Sequence, residues 1–93
     1  MLDLNALCNM KGKTAIITGA ASGIGAGITR FFTDAGVTVV MADINEKLAQ
    51  AVEKEIIDKG GRAEFVKCNV TKEADCAAVA EYTAKKYGRI DIL

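Results

Sequence analysis

Apolar residues along the 93-residue chain fall into short blocks that alternate between two periods. Residues 13–18 (KTAIIT) and 37–42 (VTVVMA) are compact apolar runs with the look of strands covered on both faces. Between them, from about Gly23 to Ala35, Ile24, Ile28, Phe31, Phe32 and Ala35 recur at steps of four, three, one and three. That spacing predicts a helix with those residues as its apolar face, and Gly36 is a natural stop. Asn45 can cap a second helix whose inward stripe is Leu48, Val52 and Ile56, ended by Gly60 and Gly61. A third strand is expected within residues 62–70. Thr71 can cap a third helix running to about Tyr87, with Cys76, Val79, Ala80, Thr83 and Tyr87 on one face and Gly88 behind it. Residues 90–93 read as the start of a fourth strand.

The order β-α-β-α-β-α-β predicts parallel strands joined by right-handed helical crossovers. The expected class is therefore α/β, a doubly wound, Rossmann-like parallel sheet carried as far as the start of its fourth strand. Such sheets bind ligands at the carboxyl ends of their strands, where residues 19–25, 43–45 and 68–70 fall. The first of these reads Gly19-Ala20-Ala21-Ser22-Gly23-Ile24-Gly25. Glycines in a turn from strand to helix let an anion approach the backbone, and the free N–H groups of the helix start favour it. Ser22 can add a hydroxyl donor. The spacing is G-x-x-x-G-x-G; Ile28 stands where G-x-G-x-x-G needs its last glycine, and Leu7 stands where a phosphate loop ending in Gly12-Lys13-Thr14 needs its first. A glycine-rich turn without a ligand is the bland alternative, but the placement after a strand and before a helix is the one the anion mechanism requires.

Charge and composition narrow the function. Twelve basic residues balance 12 acidic ones, so no basic excess exists to attract nucleic acid or an anionic membrane surface. Histidine is absent, which removes His-dependent triads and most transition-metal sites, and no metal ligands are expected. Cys8, Cys68 and Cys76 lack C-x-x-C spacing, favouring structural cysteines in a reducing compartment over a disulfide framework or zinc site. No apolar run reaches membrane-spanning length, and residues 1–9 lack the basic start of a signal peptide, so a cytoplasmic location is expected.

The stretch Thr18-Gly19-Ala20-Ala21-Ser22-Gly23-Ile24-Gly25, directly after a strand, resembles the short-chain dehydrogenase/reductase family. The resemblance extends through the lead-in at residues 10–14, through Ala42-Asp43, through Asn69-Val70 and into residues 88–93, leaving residues 1–9 as an extension and 10–93 as a dinucleotide-binding half-domain. It implies an oxidoreductase that moves a hydride between NAD and an alcohol or carbonyl substrate. The pyrophosphate-side contacts it implies fall on Gly19, Ser22, Gly23, Ile24 and Gly25. The adenosine ribose would be held by Asp43, followed by Ile44, and the adenine by Asn69 and Val70. An Asp43 carboxylate would accept from both ribose hydroxyls and repel a 2′-phosphate, and no Arg or Lys stands at residues 20–22 or 44–45, so NAD is expected rather than NADP. Asn69 departs from the family's usual Asp. Its amide oxygen is expected to accept from the adenine amino group without charge. Asp91 resembles a position that steadies the sheet.

The family's catalytic Ser, Tyr and Lys, with a supporting Asn, lie beyond the fourth strand, so none is expected here. Tyr82-Thr83-Ala84-Lys85-Lys86 satisfies Y-x-x-x-K but falls on the third helix, where positions four apart are routine surface neighbours. A chain ending at Leu93 would leave an open sheet edge and exposed apolar surface, so poor solubility or incomplete folding is expected of it. The complete form is expected to be a homo-oligomer that takes up a small alcohol or carbonyl substrate. The alternatives are a stand-alone NAD-binding module without catalysis, or a partner that pairs with a full-length relative.

Overall fold

The computed structural model describes residues 11–90. Three strands, β1 (Thr14–Thr18), β2 (Thr38–Asp43) and β3 (Arg62–Lys67), alternate with three helices, α1 (Gly23–Asp34), α2 (Glu46–Asp58) and α3 (Glu73–Tyr87). The strands form one parallel sheet in the order β1-β2-β3. Thr14 stands opposite Thr38 and Thr38 opposite Arg62, so the carboxyl ends of all three strands lie along one rim. The expected doubly wound α/β class holds. The fourth strand, Asp91, Met10 and Cys8 lie outside the described residues.

The alternation of side chains along a strand builds two cores. Ala15, Val39 and Met41 pack beneath α1 and α2 with Ala26, Ala49, Val52 and Ile56, and partly buried Ile17, Ala63 and Phe65 join them. Ile16, Val40 and Ala42 point the other way and pack with Cys68 and with Val79 of α3. β2 is the most buried strand, because helices cover both its faces and a strand lies on each side. β3 is only half-buried.

The helices sit where the pattern puts them, but two are turned from the expected face. In α1 the buried residues are Ala26, Thr29 and Thr33, while Ile24, Ile28 and Phe31 are exposed. Only Phe32 of the large expected residues packs on the core. Threonine is tolerated inside because its hydroxyl bonds back along the helix: Thr29 Oγ1 donates to Gly25 O at 2.8 Å and Thr33 Oγ1 to Thr29 O at 3.0 Å. In α2, Ala49 takes the place expected for Leu48, which is exposed, while Val52 and Ile56 are buried as expected. In α3, Val79 and Thr83 are buried and Ala80 and Tyr87 partly so, but Cys76 is exposed near the helix start.

Asn45 caps α2 as expected, its side chain accepting from Leu48 N at 3.1 Å. Asn45→Ala is predicted to cost about 1 kcal/mol, read as a lowered urea midpoint with unchanged slope. Thr71 does not cap α3. The cap position is Lys72, which makes no side-chain bond, and Thr71 is instead tied to Asn69. Among the described residues no helix is long and apolar enough to cross a membrane.

Candidate functional site

The carboxyl rim of the sheet gathers all nine residues singled out from the sequence. Gly19 leaves β1 and is fastened to the neighbouring strand by its N–H, which donates to Ala42 O at 2.9 Å. Gly19 and Gly23 have φ of +64° and +43°, values that a side chain makes costly. A Cβ at either would meet nothing within 4 Å, so the space outside both is open. Gly25 has the opposite reason to be glycine. A Cβ there would lie 1.9 Å from Gly19 O and 2.7 Å from Gly19 C, because the first turn of α1 is laid directly on the loop.

The α1 start is electrostatically bare. Ser22 is its N-cap residue but makes no side-chain capping bond, and no acidic residue stands in the first turn. By contrast α2 has an Asn45 cap and Glu46, and α3 has Glu73 and Asp75 in its first turn. The first N–H groups of α1 have no partners within the helix, and the helix dipole adds partial positive charge to them. Ile24 stands 83% exposed beside them.

Asp43 ends β2 and is buried against this loop. Its Oδ2 accepts from Ala21 N at 2.9 Å and its Oδ1 from Asn45 N at 2.8 Å. The carboxylate thus couples the glycine loop to the start of the β2–α2 connection. No lysine or arginine makes an ion pair with it among the described residues.

Next to Asp43 lies a cavity of about 280 Å³, lined by Gly19, Ala42, Asp43, Ile44, Cys68, Asn69, Val70 and Thr71. Ile44 and Val70 are both more than half exposed at its mouth. Asn69 forms one wall. Its Oδ1 accepts from Thr71 N at 3.0 Å and from Thr71 Oγ1 at 2.6 Å. An amide oxygen has two lone pairs, and here both are engaged. The sequence expectation gives this oxygen to the adenine amino group, and within the loop it already accepts twice from Thr71. Asp75 fixes the same loop from the far side by accepting from Asn69 N at 3.0 Å. Ala21, Cys68 and Thr71 were not among the site residues expected from the sequence. Ala21 contributes only its backbone, which no side-chain pattern reveals, whereas N-x-T is a recognisable signal for a side-chain-closed turn.

Two other cavities, of about 270 and 240 Å³, lie at the opposite end of the sheet, among Arg30, Glu55, Lys59 and Gly61 and among Lys11, Gly36 and Arg62. In the first of them, Arg30 and Glu55 are already joined at 2.6 Å. Among the described residues no group of His, Cys, Asp and Glu can hold a metal ion.

Tyr82 and Lys86 both bind Glu64. Glu64 of β3 accepts from the hydroxyls of Tyr82 and Tyr87, the latter at 2.7 Å, and from Lys86 Nζ at 2.9 Å. Partial burial alone would push the Glu64 carboxyl up, but the bonds from Lys86, Tyr82 and Tyr87 outweigh it and hold it below the usual range. Burial, and then the bond to Glu64, push the Tyr87 phenol up to about 12. A carboxyl lowered on folding contributes stability that is present above its unfolded pKa and is lost as pH falls through its folded value. The advantage of the wild type over Glu64→Gln in urea midpoint is thus predicted to be full at neutral pH and to shrink below about pH 4.5, the ordinary carboxyl value.

A parallel sheet, a glycine turn that opens a helix, and an acidic residue at the end of the next strand define a Rossmann-like α/β protein. The short chain dehydrogenase family model matches residues 13–93, and the chain belongs to that family of oxidoreductases. It is 48% identical over 85 residues to short-chain dehydrogenase reductase 4 of Arabidopsis thaliana, covering 90% of this chain and 28% of the relative. Two solved structures superpose closely. A 7α-hydroxysteroid dehydrogenase complexed with NADH and 7-oxo glycochenodeoxycholic acid has a TM-score of 0.89 at 40% identity, over 99% of this chain and 36% of that one. A metagenomic short-chain oxidoreductase in complex with NADP has a TM-score of 0.85 at 37% identity, over 89% and 38%. The chain therefore spans about a third of the length of the relatives it matches.

Proposed function

We propose that this chain is the NAD-binding part of an oxidoreductase that transfers a hydride between NAD and an alcohol or carbonyl substrate. The groups that act on the substrate would be supplied by other parts of a complete protein. The bound cofactor supplies the hydride chemistry; the residues described here bind and orient it. Gly19, Ser22, Gly23, Ile24 and Gly25 would receive the pyrophosphate on the bare start of α1. Asp43 and Ile44 would hold the adenosine ribose, and Asn69 and Val70 the adenine. The open space outside Gly19 and Gly23 fits a ligand lying against the backbone.

The observation that carries this reading is the Asp43 carboxylate, held against the glycine loop at 2.9 Å and, among the described residues, without an ion pair to a cation. Solved relatives hold NADH or NADP, so the choice between them rests on that carboxylate. A 2′-phosphate would meet a buried negative charge, at a cost of several kcal/mol. Calorimetric titration of the full-length protein tests the proposal. NAD is expected to bind at least about tenfold tighter than NADP, which corresponds to only about 1.4 kcal/mol. Equal affinities would overturn the NAD assignment, and uptake of neither would overturn the function.

A further inference from the structure

Two cysteines bracket the turn that leads from β3 into α3, and the fold brings their side chains together. Cys68 directly follows β3, where its N–H donates to Asp43 O at 3.0 Å. It is buried and packs in one cluster with Val79 of α3. Cys76 stands three residues before Val79, on the same side of α3, and is exposed. Its thiol donates to Val70 O at 3.8 Å, which turns the sulfur back over the turn. The Cys68 thiol lies within hydrogen-bonding reach of the Cys76 thiol. The turn between them is pinned: Asp75 accepts from Asn69 N at 3.0 Å, and Lys72 O accepts from Cys76 N at 3.2 Å. Among the described residues no third ligand joins the two sulfurs to make a metal site.

We propose that Cys68 and Cys76 are a modification site: a thiol pair that a hydroperoxide converts to a disulfide and a dithiol restores. The two sulfurs play unequal parts. Burial, and then the bond to Cys76, push the Cys68 thiol up, so Cys68 keeps its proton while solvent reaches Cys76. Cys76 Sγ, as the thiolate, attacks one oxygen of the peroxide. The O–O bond breaks, and the other oxygen leaves with the proton shed by Cys76, as water when the oxidant is hydrogen peroxide. Cys76 is then a sulfenic acid. Cys68 Sγ attacks that sulfur, the S–S bond forms, the S–O bond breaks, and hydroxide leaves with the Cys68 proton as a second water. The sulfurs give up two electrons and the peroxide takes them. Burial shields Cys68 from the oxidant in solution but not from a sulfenic acid beside it. The bond would tie the end of β3 to the first turn of α3 across Asn69, Val70 and Thr71, and it requires no bound dinucleotide.

The test is peptide mapping by mass spectrometry of the folded full-length protein after stoichiometric hydrogen peroxide, with the remaining thiols alkylated. Cleavage after Lys67 and Lys72 separates the two cysteines, so their disulfide shows as two joined peptides that dithiothreitol parts. Those joined peptides are expected as the main oxidation product. In Cys68→Ala, Cys76 is expected to stop at the sulfenic acid, which dimedone traps. In Cys76→Ala, Cys68 is expected to be oxidised at least about tenfold more slowly than in the wild type. The map of the wild type requires neither variant to fold. A wild type in which Cys76 passes to sulfinic acid while Cys68 stays free overturns the proposal. So does a Cys76 joined to Cys8 or to any cysteine other than Cys68, and so does a Cys68 whose oxidation is not slowed by the loss of Cys76.

Discussion

Gly25→Ala is expected to lower the stability of the protein by about 3 kcal/mol or more and to abolish dinucleotide uptake. The new methyl would sit 1.9 Å from Gly19 O and 3.2 Å from Ala20 Cα, all backbone, so no rotamer change relieves it. The α1 start must lift off the loop or the loop must swing out, and the second motion strains the bond from Gly19 N to Ala42 O. A neighbouring substitution supplies the control. Gly27 lies in the same helix, has no positive φ, and a Cβ there would meet nothing within 4 Å. Gly27→Ala is therefore expected to leave binding intact and to stabilise by up to about 1 kcal/mol through helix propensity. Two glycine-to-alanine changes two residues apart would then move the urea midpoint in opposite directions. A Gly25→Ala protein that melts like the wild type would remove the close-approach argument.

The sequence made the order of elements legible because strand and helix periods differ and because glycines and Asn45 mark the junctions. Which side of each helix faces the sheet was less legible. In α1 the large apolar residues Ile24, Ile28 and Phe31 suggest one face, yet the helix seats itself on Ala26, Thr29 and Thr33. Counting threonine as polar hides that face. Once its hydroxyl is paid off by a carbonyl one turn back, as at Thr29, Thr33 and also Thr83, threonine packs like a small β-branched residue. Small residues also let a helix approach the sheet closely, which accounts for Ala49 rather than Leu48 facing inward on α2. The turn glycines and the strand-end carboxylate carry local signals that bring them to notice in the sequence, whereas the turn closed between Asn69 and Thr71 is not read from it, where Thr71 stands as an expected helix cap. Atom-level roles were not legible either. Nothing in the sequence says that the Asn69 oxygen is already committed to Thr71, because that depends on how the loop closes.

Removing the carboxylate at the end of β2 should damage fold and site together. Asp43 accepts two backbone protons, from Ala21 at 2.9 Å and from Asn45 at 2.8 Å. Ala21 itself is buried, so an alanine at position 43 strands its N–H away from water. Each N–H left unmatched costs about 1–3 kcal/mol, and Asn45 N can recover part of its loss from solvent. Asp43→Ala is accordingly expected to lose about 3 kcal/mol of stability, measured by urea unfolding. NAD affinity should fall about a hundredfold as the proposed ribose acceptor disappears and the loop loosens, while NADP, freed from a buried negative charge, should lose far less. Asp43→Asn separates the two effects, because its amide oxygen can still accept from one backbone N–H but carries no charge to repel a 2′-phosphate. It should recover part of the stability without recovering the discrimination. If Asp43→Asn still preferred NAD to the wild-type degree, the selectivity would have to reside elsewhere in the loop, and the carboxylate would be a brace for Ala21 and nothing more.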